Sequence, residues 1–114
     1  MEVCMTVDHI SWRPHPIAKG VEIKPLATKS EDNLNVTCML VRIPAGKQIP
    51  EHIHAEQVDI LYPIRGSAEM VVEGTGTFPL KAGVVVRVPK GTKHKIFNVT
   101  EELLIYDVFQ PPTL

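Results

Sequence analysis

The chain has 114 residues, of which 44% are hydrophobic and 22% are charged, and its formal net charge is -1. This length fits one domain, the composition excludes a disordered chain, and the charge leaves no basic surface for nucleic acid. No apolar run reaches the roughly 20 residues that cross a bilayer, and the first residues lack the basic start and apolar core of a signal peptide. We therefore expect a cytoplasmic protein without a nucleic-acid or membrane partner.

The N-terminal part of the chain is predicted to differ from the rest. Residues 1–20 include a proline-rich stretch at 14–16 and are predicted to form an irregular arm. His9 and His15 lie in this arm and are expected at the surface. Residues 21–114 are predicted to form a single domain.

The remaining sequence predicts an all-β domain. Proline inside a helix breaks it, and the ten prolines are spread along the chain. Short apolar runs predict strands over residues 35–43, 57–64, 68–73, 84–88, 94–99 and 103–109. Glycines between these runs, Gly66 among them, are predicted to lie in turns. Strands at this spacing are typical of a sandwich or barrel. Within 94–99, alternation predicts that His94, Ile96 and Asn98 share one face.

Three histidines point to a metal site. His52 and His54 lie two residues apart, so in an extended segment both rings leave the same face, with Cα atoms roughly 6–7 Å apart. His94 begins another predicted strand, and Asp59 lies five residues beyond His54. Three imidazoles and a carboxylate suit iron, manganese, zinc, nickel or copper better than calcium or magnesium. On spacing alone, exposed histidines on a polar strand are an equal alternative.

The residues around these histidines resemble the two sequence motifs of the cupin superfamily. The first motif is usually written G, five residues, H-x-H, three or four residues, E, six residues, G, and the matching residues are Gly46, His52, His54, Asp59 and Gly66. The second motif is matched at every spacing by Gly83, Pro89, Gly91, His94 and Asn98. The resemblance covers residues 46–98 and implies a cupin-type double-stranded β-helix, which is a jelly-roll barrel.

The resemblance also implies a ligand set. His52, His54 and His94 would be the imidazole ligands of one divalent transition metal, with Asp59 in the carboxylate position. Iron or manganese is the expected metal, and zinc, nickel or copper are alternatives. The family usually has Glu where this chain has Asp, which is shorter by one methylene. We therefore expect Asp59 to bind the metal directly, to hold a metal-bound water, or to orient a ligand histidine.

Two classes of enzyme and one class of binding protein fit such a site. The first is a dioxygenase-type oxidoreductase, in which a redox metal binds a small-molecule substrate together with dioxygen. In the second, which resembles small isomerases and lyases, the metal polarises an oxygen of a sugar acid or keto acid while Asp59 or Tyr62 moves a proton. The third is a non-catalytic cupin that binds a metal or a small molecule. The intact ligand set favours an enzyme, and we expect the dioxygenase first.

Periodicity predicts some of the cavity walls. Leu61 and Ile96 are expected to line the cavity, because each lies two residues from a predicted ligand on the same strand face. Arg42, Met39 and Tyr62 are candidates to meet the substrate. Arg42 would bind a carboxylate if it faced inward, but a solvated strand end is the favoured interpretation.

We also expect a homodimer. A domain of this length buries only about two thirds of its surface. The predicted C-terminal strand is apolar on both faces at residues 103–106, so we expect a second subunit to pack against the face that does not point into the core. Small cupins commonly form dimers, as the resemblance implies.

Overall fold

Strands dominate the computed structural model, which describes residues 1–114, so the predicted all-β fold class is confirmed. In chain order, the elements are a 3-10 turn at Val7–His9, β1 (Arg13–Pro14), β2 (Glu22–Ala27), helix α1 (Lys29–Asp32), β3 (Thr37–Ile43), β4 (Ile49–His52), β5 (Val58–Val72), β6 (Gly76–Lys81), β7 (Val86–Val88) and β8 (His94–Gln110). None of the helical segments has the length and apolar character needed to span a membrane.

The two longest strands, β5 and β8, each contribute to both layers of the fold. The first half of β5 pairs with the end of β8 and with β7, whereas its second half pairs with the start of β8 and with β6. Strands β3, β2 and β1 extend the first layer beyond β8, and β4 extends the second. All pairings are antiparallel, and the arrangement agrees with a jelly roll. The space between the layers holds the core and the candidate site.

Strand β5 continues through Gly66, which was predicted to lie in a turn. Gly66 has a φ of 97°, and the pairing register with β8 shifts repeatedly around it, between residues 63 and 69. The predicted strands 57–64 and 68–73 are therefore the two halves of one bent strand. In the same way, the predicted strands 94–99 and 103–109 are the two halves of β8.

The alternation predicted for residues 94–99 fails at Asn98. This residue has a left-handed φ of 50°, which reverses the order of inward and outward side chains. Its Nδ2 donates to Glu69 Oε2 at 2.8 Å on the outside, and Val99 is buried instead. His94 and Ile96 face inward as predicted.

Alternate residues of the strands form a core between the layers. In β3, for example, Met39, Val41 and Ile43 are buried and the residues between them are half-buried. Leu103 and Ile105 continue this core on β8 and are fully buried. Each fully buried aliphatic side chain contributes roughly 1.5–3 kcal/mol to folding. The same inward faces become polar at one end of the barrel, where the candidate site lies.

The N-terminal arm is attached to the first layer. Arg13 and Pro14 pair with β2, and Trp12 lies under two cations, with Arg42 Cζ 4.0 Å and Lys24 Nζ 4.8 Å from the centre of its ring. Ala18 is buried among the core residues. The boundary at residue 20 between arm and barrel stays a prediction.

Candidate metal site

His52 and His94 lie opposite each other on neighbouring strands. They are directly paired in the register of β4 and β8. The Nδ1 of His52 lies 2.8 Å from the Pro50 carbonyl oxygen, and the Nδ1 of His94 lies 2.9 Å from that of Thr92. A carbonyl only accepts, so each Nδ1 carries the proton and donates it, and each Nε2 keeps its lone pair. This is the arrangement by which proteins orient imidazole ligands toward a metal.

His54 joins this pair from a loop. Strand β4 ends at His52, so the expectation of one extended segment through both residues is only partly met. The His54 carbonyl accepts from the backbone N–H of Gly91 at 2.7 Å, which ties the loop to the turn before His94. Its ring packs edge-on against Phe109, with 5.0 Å between the ring centres. One ligand atom from each of the three histidines lies within 4.8 Å of the other two.

Asp59 lies beside the three histidines. It is 3% exposed, at the start of β5. One carboxylate oxygen, Oδ2, is 3.6 Å from the Nε2 of His94 and 3.8 Å from the Nε2 of His54. These distances place the carboxylate against two of the three rings.

Asp107 is a second buried carboxyl group in the cavity, and sequence reasoning missed it. In the register of β5 and β8, Asp59 pairs with Phe109 and Leu61 pairs with Asp107, so the two carboxyl groups are diagonal neighbours on one face. Asp107 is 5% exposed. Burial, and then the charge of Asp59, raises the pKa of Asp107 well above its usual range. The signal was present, because Asp107 interrupts an apolar inward series at Leu103, Ile105 and Phe109.

All buried side-chain polar atoms without a hydrogen-bond partner lie in this one cavity. They are His54 Nε2, His94 Nε2, Asp59 Oδ1 and Asp107 Oδ1. Unpaired buried polar atoms cost free energy and are rare in native proteins. Imidazole nitrogens and carboxylate oxygens are both ligands of divalent transition metals. The donor set therefore fits such an ion.

The environment keeps two of the rings in the neutral form that metals bind. Burial, reinforced by the charges of His94 and His54, lowers the pKa of His52 to about 4 against the opposing effect of the Pro50 carbonyl. Burial also lowers the pKa of His54, although Asp59 opposes it. At neutral pH no proton has to leave these two rings before a metal binds.

The histidines and carboxyl groups lie in a cavity of about 360 Å³ with mostly apolar walls. The apolar lining includes Met39, Leu61, Ile96, Val41, Ile49, Ile23 and Phe109. The predictions that Leu61 and Ile96 line the cavity are confirmed. Met39 also lines it, and its contact with a substrate stays a prediction. The cavity is suited to one small and largely apolar molecule.

Several residues lie elsewhere than the sequence suggested. Tyr62 does not reach the cavity, because it lies on the outer face of β5 and is 52% exposed. Arg42 also faces away and pairs with Glu22 at 2.6 Å, in agreement with the favoured interpretation. His15 is not a plain surface residue, since it lines the cavity. His9 is exposed as expected.

Comparisons with known proteins agree with this architecture. Residues 39–109 match the protein family described as "Cupin domain". An uncharacterized protein of Streptomyces coelicolor is 32% identical over 78 residues, which cover 68% of this chain and 72% of that protein. Polyketide synthase CurC of Streptomyces cyaneus is 33% identical over 57 residues, which cover 50% of this chain and 36% of CurC. A predicted oxalate decarboxylase from Thermotoga maritima has a similar structure, with a TM-score of 0.82 at 22% identity over 96% of this chain and 99% of that one.

Proposed function

The chain belongs to the cupin domain family, and from this premise we propose that it is a metal-dependent enzyme that moves a proton on a small carbonyl compound. His52, His54 and His94 would hold one divalent transition metal. When bound, the metal supplies Lewis-acid polarisation of a substrate oxygen. The buried pair Asp59 and Asp107 would accept a proton from the carbon next to the carbonyl and return it at another position. This is isomerase, lyase or cyclase chemistry.

The charges in the cavity support a divalent ion. Neutral imidazoles contribute no charge, whereas Asp59 and Asp107, which are both buried, can contribute two negative charges. Two like charges so close together do not both ionise readily, which agrees with the raised pKa of Asp107. A divalent cation would balance both carboxylates.

The second buried carboxyl group is the observation that carries the choice of reaction. A dioxygenase needs a redox metal with open coordination positions, and it does not need a second acid beside the ligands. A buried carboxyl group whose pKa is raised, as that of Asp107 is, is suited to general acid–base catalysis. The Asp59–Asp107 pair therefore favours the Lewis-acid class over the dioxygenase that the sequence suggested first. The preference for iron or manganese stays a prediction.

The cavity walls favour a largely apolar substrate. Apolar side chains cannot pair with the hydroxyl groups of a sugar acid, and burying those groups unpaired would cost free energy. A ketone or another compound with few polar groups fits better. The relative named polyketide synthase CurC supports this choice, because polyketides are rich in carbonyl groups with acidic neighbouring carbons.

The test combines metal analysis with proton exchange. Elemental analysis of untagged protein should find about one equivalent of metal, and His52→Ala should lose it. The metal-loaded protein should accelerate the exchange of cyclohexanone α-protons in D₂O, followed by ¹H NMR. Asp107→Asn should slow this exchange by about 10²-fold, a typical contribution of one acid–base group. The exposed carboxylate variant Glu73→Gln serves as control and should exchange like wild type.

Other results would redirect the assignment. Substrate-dependent oxygen consumption by the iron-loaded protein, without proton exchange, would favour the dioxygenase. A protein that retains metal in His52→Ala would contradict the ligand assignment. Metal binding without either activity would favour a non-catalytic binding protein.

We also propose a homodimer that forms through the outer face of β5 and β8. Val58, Ile60, Tyr62 and Ile64 alternate along this face of β5 and are between 38% and 52% exposed. On β8, Tyr106 is paired with Tyr62 and continues the face. This face therefore carries a row of large exposed apolar side chains, a feature typical of interaction surfaces.

A further inference from the structure

His15 is held at the rim of the cavity by its own loop. Its backbone N–H donates to the Val21 carbonyl at 2.9 Å. Its ring Nδ1 lies 3.1 Å from the backbone nitrogens of both Ile17 and Ala18. The following residue, Pro16, restricts the backbone of His15 to extended conformations. The ring therefore has a fixed position, although it belongs to neither cupin motif.

These contacts determine where the ring carries its proton. Two backbone N–H groups donate to Nδ1, so this nitrogen is an acceptor and carries no hydrogen. A neutral imidazole has one ring proton, which must then lie on Nε2. Both side-chain hydrogen bonds of His15 are made by Nδ1, so Nε2 has no hydrogen-bond partner in the protein. His15 is one of the residues that line the cavity, so this unpaired N–H is a hydrogen-bond donor in the cavity wall.

We propose that His15 is a substrate-binding residue whose Nε2–H donates a hydrogen bond to the oxygen of a carbonyl compound in the cavity. The proposal rests on the proposed function, because it requires such a compound beside the metal site. His52 and His94 use their Nδ1–H groups on backbone carbonyls, so these two ring donors are not available to the oxygen. The donor is already oriented, so little conformational entropy is lost when it binds. His15 would thereby select oxygen-bearing ligands over hydrocarbons of the same shape.

Two variants separate this role from that of a loop cap. In His15→Asn, the side-chain oxygen takes the place of Nδ1 and can accept from the same two N–H groups, as in an Asx turn, but the distal donor is lost. In His15→Gln, the amide carries an N–H near the position of Nε2. The probe is cyclohexanone, and its control is methylenecyclohexane, which has the same ring and no oxygen. Binding is measured by NMR titration, with the His15 ring nitrogens assigned by comparison with His15→Asn.

The wild-type spectrum should show the proton on Nε2, and cyclohexanone should shift this resonance whereas methylenecyclohexane should not. His15→Asn should keep the metal content and melting temperature of wild type and bind cyclohexanone about tenfold more weakly, as expected for one lost hydrogen bond. His15→Gln should recover part of the affinity. The proposal is overturned if His15→Asn binds cyclohexanone like wild type, or if the probe leaves the His15 resonance unchanged. The His15 signal is read with or without metal, so a protein that binds no metal would refute the proposed function separately.

Discussion

Replacing Gly66 with alanine should lower the free energy of unfolding more than the same substitution at a glycine in an open turn. Gly66 lies where β5 bends, and its φ of 97° is unfavourable for any residue with a Cβ. A Cβ built at this position would lie 2.2 Å from the carbonyl oxygen of Glu102 and 2.6 Å from the Cα of Leu103. Both atoms belong to the backbone of β8, so no side-chain rotation can relieve the overlap.

The magnitude follows from these distances. Non-bonded heavy atoms are in ordinary van der Waals contact at about 3.5 Å, so β8 would have to move away from β5 by roughly 1 Å. Overpacking of this kind costs about 1–3 kcal/mol, and the left-handed backbone of alanine costs about 1–2 kcal/mol more. We therefore expect Gly66→Ala to lose about 2–5 kcal/mol, out of the roughly 5–15 kcal/mol by which a domain is stable.

Gly83→Ala is the matched control. Its φ is 92°, but no atom lies within 4 Å of the added Cβ. It should lose only the backbone cost, about 1–2 kcal/mol. Urea unfolding followed by circular dichroism measures both variants under the same conditions. If the two variants were equally stable, β8 would yield freely at the bend, and the reasoning from the overlap would be refuted.

Three further predictions concern charge and assembly. Folding raises the pKa of Asp107, so its carboxyl group favours the folded state fully below its unfolded pKa and loses this contribution as pH rises. Metal-free Asp107→Asn should therefore be more stable than metal-free wild type at pH 7, by on the order of 1 kcal/mol. This difference in the free energy of unfolding, measured by urea titration, should shrink near pH 4. Folding lowers the pKa of His52 from 6.5 to about 4. Metal-free wild type should therefore lose stability as pH falls from 6.5 to about 4, by on the order of 1 kcal/mol after solvent screening. His52→Gln should show a smaller loss over the same pH range. Ile60→Lys should convert the proposed dimer to a monomer, as measured by light scattering. Val3→Lys, which changes another exposed apolar residue, should leave the dimer intact. A monomeric wild-type protein would contradict the proposed dimer.

The sequence predicted the strands better than it predicted their ends. Apolar runs and prolines identify extended segments, since they reflect local backbone preferences. The runs on either side of Gly66 were separated because glycine is common in turns, but the same left-handed φ also allows a strand to bend. Asn98 illustrates the related limit, because a single left-handed residue reverses every assignment of inward and outward faces after it. Such reversals depend on pairing with another strand, which a single segment does not reveal.

The candidate site was predicted where its residues lie in short motifs. His52, His54 and His94 were identified by their spacing and by the glycines and proline around them. Asp107 lies outside both motifs and was missed, although it shares the alternate series of Leu103, Ile105 and Phe109 that is buried on β8. His15 had no such signal. Its place at the cavity depends on a loop that folds back on β2, and this is a tertiary contact that periodicity does not report.

The position of Asp107 links the stability of the protein to its chemistry. A carboxyl group on the inward face of β8 interrupts a series of aliphatic residues that would otherwise extend the core. Beside Asp59 it adds a repulsion that folding must overcome, and an aliphatic residue there would avoid this cost. A bound divalent cation would reverse the sign of the interaction, because both carboxylates would then face a positive charge. The carboxyl pair would thus destabilise the metal-free protein and stabilise the metal-bound protein. The residues proposed to move the proton would therefore also favour the metal-bound state, in which the proposed reaction takes place.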